Sequence, residues 1–279
     1  VSHIDNFDPQ VELEALLNPP SRRQVRLTPA SAIKPRRQPW LWAGKLPLGE
    51  LALTVGRGAV GKSCFHARVI SDITHGRLQG DLFGTPRACA IASTEDSWEH
   101  TIVPRLIVSG ANLDMVYRLS TVTEEGVDVS ISLPADLPSL ESVIFEHRIA
   151  LVSVDPLLGV VGDSIDSHKD AEVRRALQPL VDVAHTTGCS ILGNAHFTKS
   201  SAGTVDGIMG SAAFGNVPRS VLAFVKDVEA GHCTMTQIKN NLGPEDAAGW
   251  NYLIIAGYYD TDEGETLATG QFAWLSKGH

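Results

Sequence analysis

From Gly44 onward the chain alternates short, continuous apolar runs with stretches whose apolar positions recur every three or four residues. The runs at 51–55, 87–93, 116–120, 150–155 and 189–193 predict buried strands. Between them, 98–108 and 138–147 predict helices. The stretch 171–186 does so most clearly, through Val173, Ala176, Leu177, Leu180, Val181 and Ala184. Strands that are apolar on both faces need cover on both, so the pattern predicts a mostly parallel, twisted sheet flanked by helices. After Pro218 the helical spacing stops. Runs at 221–225, 233–239 and 252–255 predict consecutive strands, an antiparallel extension of the sheet at its C-terminal side. The fold class is α/β.

Residues 1–45 read differently. A short stretch at 11–17 predicts a helix ended by Pro19-Pro20, and Arg22, Arg23, Arg26, Lys34, Arg36 and Arg37 follow among prolines. This predicts an extended arm or linker, leaving 46–279 as one domain. The arm's positive charge suits a solvated linker, or a contact with a neighbouring subunit or a nucleic acid. Composition then narrows the class. The 279-residue chain is 43% hydrophobic and 20% charged, enough for a substantial core in a soluble protein. Its net charge of -9 argues against a protein that coats nucleic acid nonspecifically, while leaving room for one local basic patch. No apolar run approaches the roughly 20 residues of a membrane span, and the polar residues 1–6 do not resemble a signal peptide. Cys64, Cys89, Cys189 and Cys233 stand singly among apolar neighbours, as expected of reduced thiols in the cytoplasm. The histidines show no metal-ligand spacing.

One segment carries the chemistry. Gly56-Arg57-Gly58-Ala59-Val60-Gly61-Lys62-Ser63 fits G-x-x-x-x-G-K-[ST], follows the strand at 51–55 and leads through Cys64 into a helix at 64–70. In that strand–loop–helix setting, backbone N–H groups close around a phosphate and the helix N-terminus adds its dipole. Lys62 is expected to reach the β- and γ-phosphates, and the Ser63 hydroxyl to ligate Mg²⁺. Asp155, at the end of the strand 150–155, is the expected second holder of Mg²⁺. Ser93-Thr94-Glu95-Asp96-Ser97 ends another strand. Glu95 is the expected base for the water attacking the γ-phosphate, while Asp96 or Ser97 caps the next helix. His196, in Asn194-Ala195-His196-Phe197-Thr198-Lys199, is placed to touch the γ-phosphate from a third strand end. The loop thus predicts a nucleoside triphosphate site, and with no N-K-x-D motif to read guanine a GTPase is disfavoured.

Two long glycine-containing loops, 157–170 and 200–215, either line a channel or lie bare on the surface. Arg219 and Lys239 each suit a cationic finger, acting within the subunit or on a neighbour, or a solvated or carboxylate-paired cation.

Taken in order, these motifs resemble the RecA-like ATPases, and within them the RepA-type replicative helicase branch. The resemblance runs from Trp40-Leu41-Trp42 to Asn241-Leu242-Gly243-Pro244. It rests on the loop 56–63, Ser93-Thr94-Glu95-Asp96-Ser97 with Arg105-Leu106, Val154-Asp155-Pro156, and His196-Phe197-Thr198-Lys199. Gly210-Ser211-Ala212-Ala213-Phe214 leading to Arg219, and Lys239-Asn240-Asn241, complete it. It implies a RecA-like P-loop core over 46–279 and a homo-oligomeric ring, a hexamer in that branch, with ATP at subunit interfaces. It also implies Glu95 as base, His196 as γ-phosphate sensor, Arg219 as a finger in a neighbour's site, and two loops on single-stranded DNA. Arg57 and Ala59 depart from the Pro or Gly usual among such relatives, and Lys199 is the second loop's only cation before Arg219. The function expected is a DNA helicase or translocase in replication of a plasmid, phage or mobile element. A regulatory or recombination ATPase without unwinding is the alternative, and a small-molecule P-loop kinase a more distant one.

Overall fold

The computed structural model describes residues 26–132, 135–160, 169–196, 213–244, 246 and 248–277. The helix expected at 11–17, Arg22, Arg23 and most of the loops 157–170 and 200–215 lie outside them. Contacts divide the chain into Val1–Arg37 and Gln38–His279. The described part of the first unit is exposed throughout and extended apart from one 3₁₀ turn, Ala30–Ala32.

The second unit opens with a small hairpin, β1 (Trp40–Trp42) and β2 (Leu46–Pro47), which buries Leu41 and Leu46. The strands β3 (Leu51–Gly56), β4 (Ala88–Ser93), β5 (Val116–Arg118), β8 (Ile149–Asp155), β9 (Ser190–His196) and β10 (Ser220–Asp227) follow, all parallel. A side hairpin, β6 (Ser120–Val122) with β7 (Asp128–Ser130), stands apart from them. The sheet is completed by β11 (His232–Asn240), β12 (Trp250–Asp260) and β13 (Thr266–Lys277), each antiparallel to its neighbour. The nine-stranded order is β13-β12-β11-β10-β3-β9-β8-β4-β5.

Helices cover both faces, and the side chains of β3 show why the sequence required it. Leu51, Leu53 and Val55 point into a core shared with α3 (Leu137–His147) and α4 (Asp170–Thr187). Ala52 points the other way, into a core with Phe65, Val69 and Ile70 of α1 (Lys62–Thr74). The strand therefore has no solvent face and no polar alternation. All four cysteines are buried and unpaired. No helix among the described residues is long and apolar enough to cross a membrane.

Three expectations differ in detail. The helix expected over 98–108 is a π-helical turn, Trp98–Ile102, continued by α2 (Val103–Val108). Pro104 has no N–H to continue the ladder from the turn before, and the chain changes pitch where that donor is lost. The strand expected at 116–120 breaks at Leu119, whose N–H bonds to Ile91, and β6 then pairs elsewhere. The antiparallel extension begins one strand later than expected, since β10 is parallel to β3, and it gains β13. The short α5 (Ala213–Asn216) precedes Arg219.

Candidate active site

Because β3, β9, β8 and β4 run in parallel, their C-terminal ends share one edge. The register sets Gly56 beside His196, Val154 beside Gly193, and Ser93 beside Asp155. The loop 56–63 leaves β3 at this edge and enters α1 through Gly61, whose φ of 85° lies in the left-handed region that glycine tolerates. Ala59 occupies the same region at φ 61°. A Cβ there costs about 1–2 kcal/mol, so the alanine that departs from the usual loop composition sits where the backbone favours glycine.

Lys62 is buried, and its Nζ donates to the carbonyls of Gly56 at 3.0 Å and Arg57 at 2.9 Å. Burial lowers its pKa to about 8 against the opposing pull of Asp155. The Ser63 hydroxyl donates to Asp155 Oδ2 at 2.7 Å, and Asn194 Nδ2 donates to Asp155 Oδ1 at 2.6 Å. Asp155 is thus oriented from two sides, by the phosphate loop and by β9.

A cavity of about 390 Å³ opens above this edge. The loop from Gly58 to Cys64 lines it, together with Glu95, Asp96, Arg105, Asp155, Asn194 and His196. Glu95 is exposed and His196 half-buried. The helix cap falls to Ser97, whose hydroxyl accepts from the His100 N–H, while Asp96 pairs with Arg105 at 2.6 Å. Loop, acid, base candidate and γ-phosphate candidate, expected separately from four strand ends, share one cavity.

Arg219 and Lys239 do not join them. The Arg219 N–H bonds to Leu51 O, at the start of β3, and its Nε lies 3.9 Å from Glu50 Oε2. The six residues of β3 separate that point from the loop by about 17 Å, farther than one arginine reaches. Lys239 Nζ donates to the carbonyls of Gly215 and Asn216, both at 2.8 Å. Burial, then Arg219 and Arg174, lower its pKa. Neither cation serves the phosphate loop of its own chain.

Four polar residues behind the loop carried no expectation. His66 of α1 is buried, with Nε2 2.8 Å from the Thr54 hydroxyl of β3 and Nδ1 2.8 Å from the Ser153 hydroxyl of β8. Each hydroxyl can give or accept, so a neutral imidazole is satisfied in either tautomer. Burial depresses the His66 pKa to about 4; Asp155 pulls upward and Lys62 downward, and burial wins. Together with Asn194, these residues tie α1 to β3, β8 and β9 directly under the loop. Their sequence signal was faint: Thr54 is the one polar residue of an otherwise apolar β3, and burial obliges it to find a partner.

The hairpin β12–β13 closes the cavity on the loop's outer side. The Tyr252 hydroxyl donates to Val60 O at 2.5 Å, and Ile254 and Gly270 line the wall. A family model for the AAA domain matches residues 18–202. The chain belongs to the AAA domain family. It is a P-loop ATPase, and the matched span contains the loop 56–63, Glu95, Asp155 and His196. Arg219, Lys239 and the β12–β13 hairpin fall beyond the matched span. No curated protein matches the chain.

The family implies a divalent metal beside the nucleotide, and the donors present suit one. Ser63 and Asp155 offer oxygen only, as hard cations require. Among the described residues no cluster of three or more His, Cys, Asp or Glu side chains builds an all-protein cage.

Proposed function

We propose that this AAA-family protein is an ATP-hydrolysing motor of the RecA-like, RepA-type kind, acting on single-stranded DNA as a homo-oligomeric ring. The observation that carries the hydrolytic part is the shared cavity. Glu95 lines it together with Lys62, Ser63 and Asp155. In that role Lys62 leaves the Gly56 and Arg57 carbonyls for the β- and γ-phosphates. Ser63 and Asp155 would hold Mg²⁺, which when bound would neutralise charge on the phosphate oxygens. Glu95 takes the proton of the attacking water, Asn194 keeps Asp155 oriented, and His196 touches the γ-phosphate from β9.

The oligomeric part is supported by Arg219. It lies beyond reach of its own loop and about half-exposed, so a finger at this position must serve another subunit's nucleotide. Lys239 fastens the Gly215–Asn216 turn just ahead of it. The DNA part is supported by the order of motifs shared with the RepA-type branch. Phosphate contacts are strongest at low salt, so the test is the ATP hydrolysis rate with and without single-stranded DNA at low ionic strength. The expected result is stimulation that fades as salt rises. Hydrolysis indifferent to DNA would leave the regulatory or recombination ATPase in its place.

A further inference from the structure

We propose that the wall formed by Ile254 and Gly270 on the β12–β13 hairpin is the seat of the nucleobase. This inference rests on the nucleotide-binding reading given under Proposed function. The cavity is polar at one end and apolar at the other. Lys62, Asp155, Asn194 and His196 gather where β3, β8 and β9 end, and this end takes the β- and γ-phosphates and the metal. The rest of the nucleotide must then run the other way, past Gly61 and Cys64.

There the hairpin meets the loop. Glycine at 61 serves the left-handed turn, and a Cβ there would overlap the Ile254 side chain, so the hairpin sits directly against the loop. A Cβ on Gly270 would sit 3.1 Å from Ile254 Cγ2 and 3.2 Å from Cys64 Sγ. Ile254, Gly270 and Cys64 are therefore mutual neighbours around a strip of bare backbone. Ile254 is nonetheless 37% exposed, an aliphatic side chain held open to the cavity. A flat ring laid on such a surface gains by covering hydrocarbon, without hydrogen bonding to the Ile254 side chain.

The hairpin is also held firmly enough to act as a platform. Tyr252 is fully buried and donates to Val60 O. Gln271 bonds to Val108 O, and Gly257 packs on the Val108 side chain. The same two strands thus brace the phosphate loop and α2, on either side of the cavity.

The test compares Mg²⁺-ATP with Mg²⁺-tripolyphosphate, which carries the phosphates without the base, by titration calorimetry. The unaltered protein is expected to bind ATP more tightly than tripolyphosphate. Ile254→Ala should weaken ATP by about tenfold and leave tripolyphosphate unchanged, with Ile254→Val recovering most of the loss. Gly270→Ala, which pushes a methyl group into the wall, should also weaken ATP selectively. Equal losses for both ligands in Ile254→Ala would overturn the inference, because the wall would then only support the loop. Unchanged ATP affinity in that variant would overturn it as well. A protein that binds neither ligand before any substitution would instead remove the nucleotide reading itself.

Discussion

His66 offers a perturbation whose magnitude follows from its surroundings. Its imidazole is buried between Thr54 and Ser153, and burial lowers its pKa from 6.5 to about 4. Above about pH 6.5 the ring is neutral both in the folded and in the unfolded chain, and its titration costs the fold nothing. Between pH 6.5 and 4 the unfolded chain takes up a proton that the folded chain refuses, so stability falls as the pH falls. At about 1.4 kcal/mol per pH unit, the loss attributable to this one residue reaches about 2 kcal/mol by pH 5. The assay is urea unfolding followed by tryptophan fluorescence, from pH 7 to pH 5, in the unaltered protein and in His66→Gln. Glutamine offers both a donor and an acceptor to the two hydroxyls but does not titrate. Every other histidine and carboxylate is common to the two proteins, so the difference between their profiles isolates His66. The unaltered protein should lose about 2 kcal/mol relative to the variant over that range. Parallel profiles would refute the burial argument, because the imidazole would then be charging inside the fold at no cost.

Two further outcomes follow from the loop and its partners. Lys62, held at a pKa of about 8 by burial, regains its charge when phosphate arrives. Triphosphate binding above pH 8 should therefore take up a proton, and affinity should fall by up to about tenfold per pH unit as the pH rises further. Titration calorimetry in two buffers of different ionisation heat measures this, and identical heats would contradict it. Glu95→Gln should bind nucleotide normally and lose hydrolysis by about 10²- to 10⁴-fold; a steady-state rate near the unaltered value would take Glu95 out of the mechanism.

The parts of the site legible in the sequence are those written in local pattern. Loop 56–63 is contiguous, and Glu95, Asp155 and His196 each follow an apolar run, so periodicity alone placed them at strand ends. Sheet order was not needed to guess that they meet, because parallel strands share one C-terminal edge. What stayed hidden depends on which strands are neighbours. Asn194 reaches Asp155 and His66 reaches Ser153 only because β9 lies between β3 and β8, and no spacing along the chain encodes that adjacency.

The hairpin was hidden for a different reason. In β12, Tyr252 is fully buried while Ile254 and Ile255 are partly exposed, so hydrophobicity and burial part company and the strand shows only its first half in the pattern. In β13, Gly270 interrupts the run at the point where the strand meets Ile254 and Cys64. An interior strand glycine gives up side-chain packing, and Ile254 leaves part of its aliphatic surface uncovered. Both make sense once the strands are also a wall of the nucleotide cavity. Ile254 and Gly270, two of the residues that blur the strand pattern, also line the cavity, so a weakened strand signal can itself point to a site.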